Sequence, residues 1–390
     1  MLGKRKKKTI KSIQGFFVNQ IFRRILSMKT ILTVVGARPQ FIKTAMMSKE
    51  LEKEYKEILV HTGQHYDYNM SDVFFEELGI KTPDYNLGVA GGSHGEMTGR
   101  MLIEIEKVLN KEKPDMVLVY GDTNSTTAGA LAAVKLGIPV AHIEAGNNRG
   151  SLDNPEDVNR IVSDHISVIN FACVESAYDN LKKENLGSRS YYVGDSMYDA
   201  FIHYSKIARR NNPIDIRTFD NDIVTIPKEY YYMTCHRQEN SSKEDNLYQI
   251  MSAAQELDAP TLYSVHPRNI NLAMNIKKKN EMNNVLLIQP VGYLSSVALI
   301  NGAKKIITDS GGVQREAFFA EKQCVTVFDY AWWPETLRGG MNRLSKADKK
   351  EIITKLQMQI EKDENYHPFG DGQACSKMRT IINDYFVKNG

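Results

Sequence analysis

Short apolar runs without alternation recur along the chain: residues 29–35 (KTILTVV), 58–61 (ILVH), 115–120 (DMVLVY) and 139–143 (PVAHI). Continuous rather than alternating hydrophobicity is the pattern of strands covered on both faces, as in parallel sheets. Between the runs lie segments of helical periodicity, from Arg38 to Glu52, over 71–78, over 97–110, and over 127–136, where small residues allow close packing on a sheet. The pattern restarts with 230–234 (YYYMT), 261–265 (TLYSV), 285–289 (VLLIQ), 306–307 and 324–328 (CVTVF). Strands alternating with helices twice over predict an α/β fold of two Rossmann-like, doubly wound domains facing a cleft, joined near 211–228.

Polar residues gather where these runs end. Arg38, with Lys43 one turn on, follows the first strand, and Gln64 and His65 follow the second. Asp122 and Glu144 follow the next two, and His236 and His266 occupy the same positions in the second half. Open parallel sheets bind ligands at the carboxyl ends of their strands, so these are candidate site residues. The densest feature is TDSGGVQREA at 308–317. A buried strand, a Ser-Gly-Gly turn and a helix start gather free backbone N–H groups and the positive helix end at one point, which is an anion site. Gly311 and Gly312 let the backbone lie close to a ligand, Ser310 can donate to a phosphate, and Glu316 is placed to accept from a neutral group such as a diol. Ser310 also serves the plainer role of helix cap.

Composition narrows the class. The 390 residues suffice for two cores, and 42% hydrophobic with 25% charged content describes an ordinary globular protein. Cys173, Cys235, Cys324 and Cys375 lie far apart, suggesting neither a disulfide framework nor a zinc site, and fit a reducing cytoplasm. Residues 1–27 carry eight Lys or Arg and no acid. They form either a basic amphipathic helix on an anionic membrane, too short in apolar run to insert, or an extension ahead of a biological start at Met28, the preferred reading. Without them the formal charge falls from +3 to −5, which argues against a nucleic-acid partner.

The order GARPQFIK (36–43), GDTNST (121–126), HIEAG (142–146), NPEDVNR (154–160), CHRQEN (235–240), HPR (266–268) and TDSGGVQREA resembles the non-hydrolysing UDP-N-acetylglucosamine 2-epimerases from about residue 29 to the end. The resemblance implies the glycosyltransferase-B architecture, with domains 28–210 and 211–372 and a last helix, about 373–387, crossing back to the first. It implies a UDP-sugar substrate and a homodimer, with a role in cell-surface polysaccharide synthesis. The chemistry implied is loss of the C2 proton and UDP to give 2-acetamidoglucal, then their return with inverted C2, with no metal or redox cofactor required. By motif, Asp122, Glu144 and Glu156 correspond to the catalytic acids and His236 to the catalytic histidine. Arg38, His236, Ser310, Gly311 and Gly312 would hold the diphosphate, Glu316 the ribose, and Lys43 and Arg160 would support the carboxylates. Without the family pattern, Asp122 could instead cap the following helix.

Two stretches depart from the family. Asn147-Asn148 replaces a Leu-Arg pair at the start of an unusual loop to Pro155 (NNRGSLDN), and Asp157 stands in place of a common second glutamate, which puts the identity of the sugar in doubt. Asp329-Tyr330-Ala331-Trp332-Trp333-Pro334-Glu335 replaces D-T-T-E-R-P-E, so an arginine near the nucleotide is lost. There the indoles either pack or stack on the uracil. Alternatives kept open are a hydrolysing 2-epimerase, another glycosyltransferase-B enzyme and a non-catalytic nucleotide-sugar sensor.

Overall fold

The computed structural model describes residues 28–63, 77–147, 152–210 and 216–389. These fall into two compact units, one of 28–63, 81–147, 152–193 and 375–389, the other of 77–80, 194–210 and 216–374.

The first unit runs β1 (Thr30–Val35), α1 (Arg38–Leu51), β2 (Lys56–His61), β3 (Tyr85–Asn86), α2 (His94–Glu112), β4 (Met116–Tyr120), α3 (Asn124–Lys135), β5 (Val140–Ile143), α4 (Pro155–Ile166), β6 (Ile169–Ala172), α5 (Glu175–Lys183) and β7 (Ser190–Tyr192). All seven strands are parallel, in the order β3-β2-β1-β4-β5-β6-β7. The apolar runs are these strands, and β4 is buried along its whole length. Helix α2 turns Met101, Ile105, Val108 and Leu109 inward, the one-sided stripe of a surface helix. Helix α3 lies closer to the sheet. A β-carbon on its Gly129 would come within 3.2 Å of Val34 and 3.3 Å of Val119, a tight approach that a larger residue could make only if those valines gave way.

The second unit opens with α6 (Ser196–Arg210) and continues through β8 (Tyr231–Cys235), α7 (Gln238–Ser241), α8 (Glu244–Gln255), β9 (Thr261–Val265), α9 (Ile270–Lys279), β10 (Val285–Ile288), α10 (Tyr293–Gly302), β11 (Ile306–Thr308), α11 (Gly311–Phe319), β12 (Cys324–Val327), β13 (Asn342–Ser345) and α12 (Lys349–Gln357). Its six parallel strands run β10-β9-β8-β11-β12-β13. Helix α6 groups with this unit, as Asn301 of α10 donates to Ser205 at 3.0 Å and Tyr204 stacks edge-on against Tyr293. The last helix, α13 (Ala374–Asn389), groups from Cys375 onward with the first unit. There Arg379 pairs with Glu50 at 3.1 Å and Phe386 packs on Tyr55.

In both sheets strand order reverses beside the first strand, between β1 and β4 and between β8 and β11. The loops leaving these strand pairs splay apart, which makes each reversal a ready crevice.

Candidate active site

In the first unit the crevice is built by β1, β4 and β5. Gly36 ends β1 where a β-carbon would run into Ser125 and Thr62, whose hydroxyls bond each other at 2.8 Å. Gln40 of α1 fastens the turn: its Oε1 accepts the Gly36 and Ala37 N–H groups at 2.7 and 2.9 Å, and its Nε2 donates to the Tyr120 carbonyl at 2.7 Å. Thr123, not Asp122, caps α3, accepting from the Thr126 N–H at 3.3 Å, so the capping role considered for Asp122 falls away.

Asp122 is instead bound to a guanidinium. Arg160 of α4 reaches its Oδ2 at 2.5 Å and Glu144 Oε1 at 3.4 Å, and donates also to the Glu144 carbonyl. Lys43 of α1 meets the other Glu144 oxygen, Oε2, at 2.6 Å. The four side chains form one chain of alternating charge at the carboxyl ends of β4 and β5. Burial alone would lower the Arg160 pKa, but Asp122, Glu144 and Asp164 outweigh it and raise it. Glu144 lies under this network with φ of +64°, a left-handed conformation that costs a non-glycine residue about 1 kcal/mol. Asn159 ties the same turn by donating to the Asp122 carbonyl at 3.0 Å. Exposure separates the acids: the Asp122 side chain keeps 29% of its surface and Glu144 only 8%. Glu156, in the first turn of α4, is exposed, whereas Asp157 beside it is buried.

In the second unit the crevice is organised by Asp309, which ends β11 with 1% exposure. Its carboxylate accepts the backbone N–H of His236 at 3.0 Å and of Arg237 at 2.9 Å, the Asn240 amide at 3.3 Å and the Cys235 thiol at 3.3 Å. The His236 ring lies 3.2 Å away through Nδ1. Burial alone would raise the Asp309 pKa, but His236 and the two N–H groups outweigh it and lower it. Burial, then Asp309, drives the Cys235 thiol well above its usual range. Ser310 caps α11, accepting from the Val313 N–H at 3.4 Å, with Gly311 and Gly312 in the first turn. His266 stacks on His236 at 6.1 Å between ring centroids.

Sequence reading missed Arg237. Its guanidinium lies 4.5 Å from the Phe328 ring and 5.1 Å from Trp332, and its Nε donates to the Asp309 carbonyl at 2.9 Å. It thus puts a cation beside the Ser310 turn. Trp332 is also within van der Waals reach of Gly311. Trp333 is not free to stack on a base. It is 4% exposed, with the Arg315 guanidinium 3.9 Å from its ring and Phe369 on another side. Arg315 in turn pairs with Asp195 at 2.8 Å. Glu316 is nearly enclosed beside Tyr293, whose phenol is driven well above its usual range by burial and then by that carboxylate. Arg38 opens α1, and Gln64 and His65 lie outside the described residues.

A model of the family described as UDP-N-acetylglucosamine 2-epimerase matches residues 49–383. The chain belongs to this family. A Methanococcus maripaludis relative, named a UDP-N-acetylglucosamine 2-epimerase homolog, is 44% identical over 356 residues, covering 90% of this chain and 99% of the relative. The UDP-2,3-diacetamido-2,3-dideoxy-D-glucuronate 2-epimerase of Pseudomonas aeruginosa is also 44% identical, over 362 residues, with coverage of 90% and 99%. Among solved structures, the Methanocaldococcus jannaschii UDP-GlcNAc 2-epimerase in complex with UDP-GlcNAc and UDP matches with a TM-score of 0.79 and 38% identity over 91% of this chain and 99% of that one. The 2-epimerase neighbours share the two-Rossmann, glycosyltransferase-B-like fold that the sequence predicts. Membership makes the protein an isomerase.

Proposed function

We propose that the protein inverts C2 of a UDP-N-acetylhexosamine by eliminating and re-adding UDP, without hydrolysis. A carboxylate takes the C2 proton as the C1–oxygen bond to UDP breaks, leaving a C1–C2 double bond. A second acid then protonates the opposite face of C2 while a UDP oxygen re-forms the bond at C1. Asp122, Glu144 and Glu156 are the acid–base set; His236, Arg38, Ser310, Gly311 and Gly312 bind the diphosphate, with Arg237 beside them. The observation that carries this reading is the Lys43–Glu144–Arg160–Asp122 chain, which pairs two carboxylates with two cations while leaving Asp122 open to a substrate proton. The turn at Ser310 supports the leaving-group assignment, because free helix N–H groups match a departing diphosphate. We place the enzyme in the cytoplasm as a homodimer serving cell-surface polysaccharide synthesis. No helix among the described residues is long and apolar enough to cross a membrane.

Relatives at 44% identity include a 2,3-diacetamido uronate epimerase, so that sugar is the second reading. The test is incubation in heavy water with UDP-GlcNAc or UDP-2,3-diacetamido-2,3-dideoxyglucuronate. Inverted C2 carrying deuterium, with the UDP-sugar bond retained, is the expected product for one of them. Stoichiometric free UDP with free sugar would assign the hydrolysing reaction, and no change in either would leave a binding protein.

A further inference from the structure

Strand β5 carries a histidine, His142, with no solvent exposure. Both of its ring nitrogens face acceptors: Nδ1 lies 2.7 Å from Asp164 Oδ1, and Nε2 lies 2.6 Å from the Gly121 carbonyl oxygen. A neutral imidazole has a single N–H. It would set a lone pair against a lone pair at one of these two contacts unless Asp164 carried the proton. With that proton on Asp164, or a second one on the ring, both contacts are bonded, while the other Asp164 oxygen accepts the Gly146 N–H at 3.0 Å.

The two groups held by this pair are informative. Gly121 immediately precedes Asp122 and has φ of +65°, while Gly146, two residues after Glu144, has φ of +75°. A β-carbon at Gly146 would meet the Ala177 carbonyl and Leu181, so that turn has no room to move toward α5. One histidine–aspartate pair therefore fastens both turns that present the carboxylates. We propose that His142 is a positioning residue for C2 epimerisation, clamping the turn before Asp122 through the Gly121 carbonyl and the turn after Glu144 through Asp164. A shift of about 1 Å in either carboxylate is enough to lose much of the rate of a proton transfer.

The role in turnover rests on the proposed function, but the two contacts do not. Neutron diffraction from deuterium-exchanged crystals at about pH 8 is expected to place one deuteron between Nδ1 and Asp164 and one between Nε2 and the Gly121 carbonyl. A contact with no deuteron would overturn the clamp whatever the enzyme turns over. His142→Gln keeps one nitrogen donor in place of two ring nitrogens, and its kcat is expected to fall about tenfold while KM and UDP affinity stay within about twofold. A kcat equal to that of the unaltered protein, or a loss confined to KM, removes the positioning role. If the unaltered protein leaves every UDP-sugar unchanged, the proposed function fails while the deuteron positions still decide the clamp.

Discussion

The two halves of the molecule use the same topology to hold charge in opposite ways. At the reversal in the first sheet, carboxylates after β4 and β5 are neutralised by side-chain cations from the helices, Lys43 and Arg160. At the reversal in the second, the carboxylate after β11 is held by its own neighbouring loop, first by the His236 side chain and then by the backbone N–H groups of Arg237 and His236. A carboxylate paired with side-chain cations can still face solution, as Asp122 does with 29% of its side chain exposed. Asp309 accepts from Cys235, His236, Arg237 and Asn240 inside the fold, so it has no lone pair free to take a substrate proton. The lesson is that a buried acid is read by what neutralises it. The first crevice leaves a carboxylate open, as the proposed acid–base chemistry needs, and the second uses its acid to shape the loop that carries His236 and Arg237.

The comparison breaks most visibly at the acids of the first unit. Asp122→Asn and Glu144→Gln are each expected to lower turnover by about a hundredfold or more, with UDP affinity, measured by calorimetry, nearly unchanged. Glu156→Gln should match them if its exposed carboxylate meets the sugar, and near-normal turnover would remove it from the set. Next in size is Lys43→Met, expected to lower turnover tens of fold at neutral pH. Removing the ammonium 2.6 Å from Glu144 makes that carboxylate easier to protonate. The acid limb of the rate profile should therefore move to higher pH, with partial recovery of rate on the alkaline side. An unmoved limb would assign Lys43 to packing.

Much of this was legible in order but not in depth. The strand sequence could be read because doubly covered strands are apolar throughout, and β9 falls on its expected residues, 261–265. Helix ends were less legible: α3 starts at Asn124 rather than 127, because the polar residues Asn124, Ser125 and Thr126 are buried in its first turn by contacts with other elements. Motif likeness named Asp122, Glu144 and His236, yet the roles of Asp309 and Arg237 stayed hidden. Those roles arise from hydrogen bonds between loops 72 and 73 residues apart, which no local pattern encodes. Trp333 is the converse case. A buried indole on a strand-end loop looks alike in sequence whether it faces a ligand or, as here, Arg315 and Phe369.

Asp309→Asn sharpens the comparison from the other side. An amide NH2 would oppose at least one of the N–H donors, costing about 3 kcal/mol of stability in the second unit. By loosening His236 and Arg237 it should weaken UDP binding about tenfold, leaving the acid–base carboxylates of the first unit intact. The pH dependence has a definite sign. Because the folded Asp309 carboxyl is held below its ordinary value, its contribution to stability is complete above about pH 4 and is lost as pH falls through the lower folded value. Melting curves between about pH 5 and 2 should show a steeper acid loss in the unaltered protein than in Asp309→Asn. Parallel curves would mean that the carboxylate is not the element holding this loop.

The smallest effects fall on the tryptophan pair, where two neighbouring residues are assigned opposite duties. Trp333 packs with Phe369 and supports the Arg315 guanidinium, so Trp333→Ala should cost about 3 kcal/mol in stability without changing which UDP-sugar is turned over fastest. Trp332 lies against Gly311 and beside Arg237, half-buried at the turn where the diphosphate is proposed to bind. Its loss removes one face of the aromatic pair that steadies Arg237, an interaction worth about 0.5–1 kcal/mol at such a site. Trp332→Ala should therefore leave the melting temperature almost unchanged and weaken UDP binding about threefold. Fluorescence separates the two independently, because saturating UDP should perturb emission in Trp333→Phe, where Trp332 remains, and not in Trp332→Phe. The reverse pattern, with Trp333→Ala stable but altered in its preference among sugars, would return Trp333 to the binding surface and make Arg315 part of sugar recognition.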